Sequence, residues 1–287
     1  MPTPVPSRRR GFTPVMLPAA GGRKRGAFTL VELLVVVGII AVLVALLMPA
    51  LAAARRQVNR VHCAANLRSI GQAMTLYTQL YGYYPGDYLY PASGDAVAVW
   101  PVRLRPLLGD QRAVFYCPSQ DPRCQWTDDA PGRVLRATDD HARYGYEAGE
   151  RLLLWDMYFS YAYNAWGTGK WGYPPTGLGD VTGSIPSDMI GPVAPERRAS
   201  EVRMPSEMIA ITDSAADGLF DHQVVPANSS PPDAGAGWVH GGAANVLFCD
   251  GHVESRLPLD IVFSPWDENV DRTSMLWNYD HTKGGPF

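Results

Sequence analysis

The sequence predicts an α+β protein: one long N-terminal helix, apolar in its first half and amphipathic in its second, packed on a small C-terminal antiparallel sheet with long loops. Three observations predict it. Residues 33–54 form a run of 22 with no charge and no side-chain hydrogen-bonding group. Beyond them Cys63, Leu67, Ile70, Met74, Tyr77 and Tyr81 recur at spacings of four and three, the signature of one helical face. Residues 208–213 (MIAITD) and 244–249 (ANVLFC) are short apolar runs with β-branched members, and Asp250-Gly251 separates the second from His252-Val-Glu-Ser.

The apolar run is long enough to cross a bilayer, which takes about 20 predominantly apolar residues. Arg23, Lys24 and Arg25 stand before it, and such cations keep their flank cytoplasmic, placing the bulk of the chain on the far side. Glu32 lies at its edge, where an ionised carboxylate costs less than the roughly 2.5–3.5 kcal/mol it would cost at mid-bilayer, but still calls for a partner. Pro49 lies inside the run. A missing N–H and a ring clash cost about 3 kcal/mol there, so a kink or local melting is expected. Arg55 and Arg56 fall just beyond the span, and Gly82 with Pro85 reads as the helix stop. The division expected is therefore a basic leader over 1–27, a transmembrane helix over 28–54, an amphipathic continuation over 55–82 and an extracytoplasmic globular domain over 83–287.

Within that domain, Trp100, Leu104, Leu107 and Leu108 suggest a short helix or turn packed on the core, and residues 158–164 a strand. Residues 121–150 and 165–200 mix Gly, Pro and polar residues without period and read as surface insertions. With 28 Gly and 25 Pro in 287 residues, much of the domain should be loop. Asp250-Gly251 reads as a two-residue hairpin turn of type I′, with φ > 0 at both positions. The first 27 residues carry six cations and no acid; without them 19 Lys+Arg face 28 Asp+Glu, a net charge of −9. That acidity argues against nucleic-acid binding, which needs a basic face.

Residues Gly26-Ala27-Phe28-Thr29-Leu30-Val31-Glu32 resemble the N-terminal motif of type IV prepilins and type II secretion pseudopilins. The resemblance implies cleavage by a prepilin peptidase before Phe28, N-methylation of the new Phe28 amine, and pairing of Glu32 with the N-terminus of a neighbouring subunit. Counted from Phe28, Glu32 is fifth and Pro49 twenty-second, as in the family. Ala27 departs from the pattern by standing between the expected Gly and Phe; a cut after Gly26 would make Glu32 sixth, so the Ala27–Phe28 bond is favoured. An ordinary cleaved signal peptide and a plain membrane anchor are the competing readings. The signal peptide fits less well, because its apolar core runs only 7–15 residues.

The chain also resembles bacterial pseudopilin-like proteins with a processing-associated His-x9-Asp-Gly segment, here His240 followed by nine residues and Asp250-Gly251. Residues 63–71 (CAANLRSIG), 115–119 (FYCPS), 160–164 (SYAYN) and 205–210 (PSEMIA) fit the same pattern. Four cysteines in an exported domain favour disulfides. Cys63 and Cys117 both occupy motif positions of the resemblance, which points to their pairing and leaves Cys124 and Cys249 undecided.

His240, Asp250 and His252 are the candidate metal ligands, with the cysteines as possible companions, although the close Cys or His pairs usual in zinc sites are absent. Asp213, Asp217 and Asp221 recur every four residues. The resemblance makes calcium conceivable, since some type II pseudopilins bind it in a C-terminal loop, but no EF-hand loop is present. No Gly-x-Ser-x-Gly, phosphate-cradling loop or His-Glu-x-x-His motif occurs, and the default role of the acids and histidines is solvated surface. The sequence thus reads as a structural, non-enzymatic subunit of the bacterial inner membrane. The resemblance implies a prepilin peptidase, an assembly platform and other pilin-like subunits as partners. The alternative is a membrane-anchored extracytoplasmic binding protein or metal-dependent enzyme.

Overall fold

The structure, a computed structural model, describes residues 29–89, 97–128, 134–142, 144–165, 177–178, 196–218, 221–224, 235–261 and 276–277. The leader, with Gly26, Ala27 and Phe28, and most of residues 165–200 lie outside the described residues. The chain divides into two compact units, residues 1–50 and 51–287.

Helix α1 runs Leu30–Tyr81, 52 residues, and contains Pro49. The local melting expected at Pro49 is not seen. Pro49 removes one ladder bond, and the Ala, Leu and Met residues on either side are among the strongest helix formers. In the first unit every large apolar side chain from Leu30 to Met48 is exposed. The helix is long and apolar enough to cross a membrane.

In the second unit Cys63, Leu67, Ile70, Met74 and Tyr77 are buried, as their spacing predicts, with Gly71 and Ala73 beside them. Tyr81 departs from the stripe: it is exposed and rests on the Tyr77 ring at 4.6 Å between centroids. There the helix gives way to Gly82, at φ 79°, whose N–H donates to Thr78 O at 2.8 Å. A residue with φ > 0 closing a helix is a common use of glycine.

Against the buried stripe lies a five-stranded sheet ordered β5-β3-β4-β6-β7, where β3 is Tyr161–Asn164, β4 Ile209–Asp213, β5 Gln223–Val224, β6 Ala244–Phe248 and β7 Val253–Arg256. A separate pair joins β1 (Tyr88–Leu89) to β2 (Val97–Ala98). The α+β architecture is the one expected, but the sheet is mixed rather than wholly antiparallel. Strands β3 and β4 are antiparallel, while β5 pairs with β3 in parallel. After β4 the chain reverses direction and passes over its neighbour β3, so it arrives running the same way as β3.

Strands β3, β4 and β6 are buried along their whole length, which is why they read as continuous apolar runs rather than alternating ones. At the outer edge β7 is less buried, and Arg256 pairs with Glu254 at 2.5 Å. Short helix α2 (Trp100–Leu104) buries Trp100 and Leu104, with Leu107 and Leu108 packed partly behind them.

The β6–β7 hairpin forms where expected, through a different turn. Phe248 N–H donates to His252 O at 3.0 Å and Gly251 N–H to Phe248 O at 2.9 Å, leaving a three-residue loop. Gly251 has φ 94°, and Asp250 is not among the residues with positive φ. This is the type I turn closed by a left-handed glycine, rather than the two-residue type I′ turn. Residues 205–208 hold it in place: Cys249 N–H donates to Met208 O at 2.9 Å and Asp250 N–H to Pro205 O at 3.1 Å.

The hairpin turn docks on α1 at Gly71. A Cβ placed there would lie 2.7 Å from Leu247 Cδ1 and 3.3 Å from the Gly251 backbone. Gly71→Val is expected to lower stability by about 1–3 kcal/mol through overpacking. Urea denaturation checks this, and an unchanged midpoint would contradict the close approach.

Residues 121–150 are not merely a surface insertion. Trp126, Tyr144 and Tyr146 join the core, and the side chains of Arg105 and Glu150 are buried as an ion pair. Arg112 reaches Glu150 at 2.9 Å, while Arg105 and Arg112 stand over the Trp126 ring at 5.4 and 5.3 Å. The segment has no period because its buried residues come from turns and short 3₁₀ pieces.

Candidate functional site

Two places gather the residues singled out by sequence: the first turn of α1 and the ends of β6. In the first turn, Glu32 Oε2 accepts from Thr29 N–H at 2.9 Å and from the Thr29 hydroxyl at 2.8 Å, while Thr29 Oγ1 accepts from Glu32 N–H at 3.2 Å. This is a reciprocal capping box. Thr or Ser before a helix and Glu or Gln three residues on satisfy otherwise orphaned N–H groups. In the single chain the acid is therefore held at the mouth of its own helix, with its second oxygen still available. The Thr29-Leu-Val-Glu32 spacing is itself the sequence signature of such a cap.

The other place is built by the His-x9-Asp-Gly segment, whose two ends reach α1 at different heights. At one end Cys63 of α1 and Cys117 are joined by a disulfide, the pair to which the resemblance pointed; Cys124 and Cys249 are free. His240 Nε2 lies 3.6 Å from Cys117 Sγ and 3.3 Å from Asp213 Oδ2. The side chains of His240 and Asp213 are almost wholly buried, at 1% and 0% exposure. Asp213 Oδ2 also accepts from Asn245 N–H at 2.7 Å, so the carboxylate ties β4 to β6. Burial pushes the Asp213 carboxyl above its ordinary range, and the bonds from His240 and Asn245 pull in the opposite direction. At the other end Asp250-Gly251 rests against Gly71, two turns further along α1. The segment thus pins β6 to the helix at both ends.

His240, Asp250 and His252 do not converge. His240 is buried, whereas Asp250 and His252 face each other at 2.5 Å on the partly exposed hairpin, where the His252 ring stacks on Phe248 at 4.4 Å. The three aspartates considered for calcium are also divided: Asp213 belongs to His240, while Asp221 accepts N–H bonds from Asp217 at 3.0 Å, Gly218 at 2.9 Å and Phe159 at 3.4 Å. Backbone N–H dipoles aimed at a carboxylate suit a loop anchor and oppose a cation.

The histidines and acids are far more buried than their loop positions implied. Asp87, His141, His222, His240, Asp213 and Asp221 are all buried, and His222 Nε2 lies 3.8 Å from Asp87 Oδ2. Sequence offered no signal for these pairs, since their members are more than 20 residues apart.

Burial raises the Asp221 carboxyl to about 7, with its three N–H bonds opposing the rise. An acid whose folded value is raised binds more protons folded than unfolded. Its stabilising contribution is therefore full below its ordinary value near 4 and is lost as pH climbs through 7. Stability is expected to fall by up to about 1.4 kcal/mol per pH unit over that window on account of this group. Asp221→Asn should flatten the slope measured by denaturation at pH 4–8; an unchanged slope would remove Asp221 as its source.

Residues 22–48 match the model of the prokaryotic N-terminal methylation motif. No curated protein and no solved structure matches the chain. The matched stretch covers Gly26 to Glu32 and most of the apolar half of α1. The chain therefore carries a prepilin-type N-terminus, which supports a type IV pilin-like protein and implies processing by a prepilin peptidase and assembly with other pilin subunits. The one long apolar helix among the described residues, together with this motif, fits a single-pass inner-membrane protein.

Proposed function

We propose that this chain is a pseudopilin-like structural subunit of a type II secretion or related pilus-like machine, and not an enzyme. The leader is cytoplasmic and the prepilin peptidase cuts between Ala27 and Phe28. The Phe28 amine is methylated, and the globular domain stands on the periplasmic side. An assembly platform then moves the mature chain into a short filament. The observation that carries the reading is Glu32, an acid at the head of the otherwise uncharged apolar half of α1, inside the matched motif. In low-dielectric surroundings it has use for a cation, and a neighbour's new N-terminal amine supplies one.

The cleavage and methylation step is tested by mass spectrometry of the mature chain from membranes. An N-methylated Phe28 is expected. An intact leader, or a terminus near Ala54 as a signal peptidase would leave, overturns the proposal. A chain methylated at Ala27 instead would move the cut by one residue and make Glu32 sixth, breaking the register on which the pairing depends.

A further inference from the structure

Among the described residues, Cys63, Cys117 and His240 form the set of three metal-capable donors whose ligand atoms all lie within 4.8 Å of one another. All three are buried; the Asp213 carboxylate, 3.3 Å from His240 Nε2 through Oδ2, stands next to the imidazole but outside that set. We propose that the Cys63–Cys117 bridge and a zinc-type divalent metal centre are two alternative states of this one site. With the bridge closed the two sulfurs hold each other. With it open, Cys63, Cys117 and His240 supply three donors, and a shift of the neighbouring Asp213 carboxylate toward the sulfurs completes a four-donor S2NO shell.

The geometry supports this beyond mere proximity. Zinc bonds of about 2.3 Å to sulfur, about 2.05 Å to nitrogen and about 2.0 Å to oxygen, spread at a tetrahedral angle, set sulfur and nitrogen about 3.6 Å apart and nitrogen and oxygen about 3.3 Å apart. The chain holds Cys117 Sγ and His240 Nε2 at 3.6 Å, and His240 Nε2 and Asp213 Oδ2 at 3.3 Å. The imidazole nitrogen that faces the carboxylate also faces the sulfur, as a shared ion requires. The second carboxylate oxygen, Asp213 Oδ1, is buried without a hydrogen-bond partner among the described residues. A buried carboxylate left half satisfied is costly, and a cation at its other oxygen offsets that cost. The donors come from α1, the 117 loop, the 240 loop and the end of β4, so the ion would join α1 to the 117 loop as the bridge does and tie in the 240 loop and β4 as well.

Opening the bridge takes two electrons and two protons. A dithiol donates both, leaving as its own disulfide while Cys63 and Cys117 become thiols. Binding the metal then releases one proton from each thiol, because the thiolate is the ligand. His240 binds as the neutral imidazole and Asp213 as the carboxylate. Metal loading is therefore confined to the reduced chain.

The test uses the full chain in detergent micelles with Cys124→Ser and Cys249→Ser as background, reduced anaerobically with a phosphine, which leaves as its oxide with the oxygen of one water. Cobalt(II) is the probe. One equivalent should bind, with sulfur-to-cobalt charge-transfer absorption and the visible bands of a tetrahedral ion. Zinc should displace it, and the unreduced chain should take up none. His240→Ala should weaken cobalt binding by more than about tenfold, and Cys117→Ser should remove the charge-transfer absorption. Since either variant can lose its fold, X-ray absorption of the zinc-loaded reduced parent chain gives an independent reading: two sulfur and two nitrogen or oxygen neighbours. The proposal is overturned by a shell lacking sulfur, by a four-sulfur shell, by cobalt bands indifferent to His240→Ala, or by a reduced chain that unfolds and is not restored by metal.

Discussion

Glu32→Gln is expected to leave the chain inserted and processed but to cut its incorporation into filaments by a hundredfold or more. The conservative amide is the informative choice. Glu32 closes a capping box with Thr29, and Glu or Gln at that position serves the cap. Gln therefore keeps the first turn and removes only the charge. Stripping one partner from an ion pair in low-dielectric surroundings costs roughly 3–5 kcal/mol, or about two to four decades in an equilibrium constant. The readout is the fraction of mature chain recovered in sheared or crosslinked polymer against the fraction in membranes. Should Gln assemble as well as Glu, the acid serves only its own helix and the reading as a polymer subunit fails. Glu32→Ala loses both cap and charge, so it separates nothing by itself.

Replacing both bridge cysteines by serine should destabilise the globular unit by about 4 kcal/mol, the chain-entropy value for a sequence separation of 54. In a unit of this size that corresponds to a fall of roughly 8–16 °C in Tm. The bridge fastens α1 to the 117 loop beside a buried acid and histidine, so the loss also loosens the surroundings of Asp213. Thermal unfolding of the double variant against the parent, both without reductant, measures it. The control is Cys124→Ser with Cys249→Ser, which leaves the bridge intact. A loss below about 1 kcal/mol would mean the unfolded chain is already restrained by other means.

The helix was the most legible part of the fold, because its periodicity is local: each buried residue from Cys63 to Tyr77 announces the next within four positions. Strands β4 and β6 were legible for a related reason, as short β-branched runs buried on both faces. The parallel pairing of β5 was not, since a two-residue strand carries no pattern and its partner is set by where the chain returns. In the candidate site, His240 and the cysteines stand out by residue type, whereas spacing groups Asp213 with Asp217 and Asp221. Its actual partners, His240 and the Asn245 N–H, lie about 30 residues along the chain. A carboxylate on a buried strand end is indistinguishable in one dimension from one in a solvated loop. The Asp-Gly turn shows a finer limit: the dipeptide marks the reversal, while the backbone bonds from residues 205–208 help decide how many residues it uses.

The outermost strand, β7, bears on how copies can meet. Its exposed side carries Glu254 and Arg256, already paired with each other, with His252 just before them. A bare ribbon in that position would invite another chain to stitch itself on by main-chain hydrogen bonds; charged side chains there make such lateral growth unfavourable. Copies of this molecule are thereby steered away from zipping together along that flank.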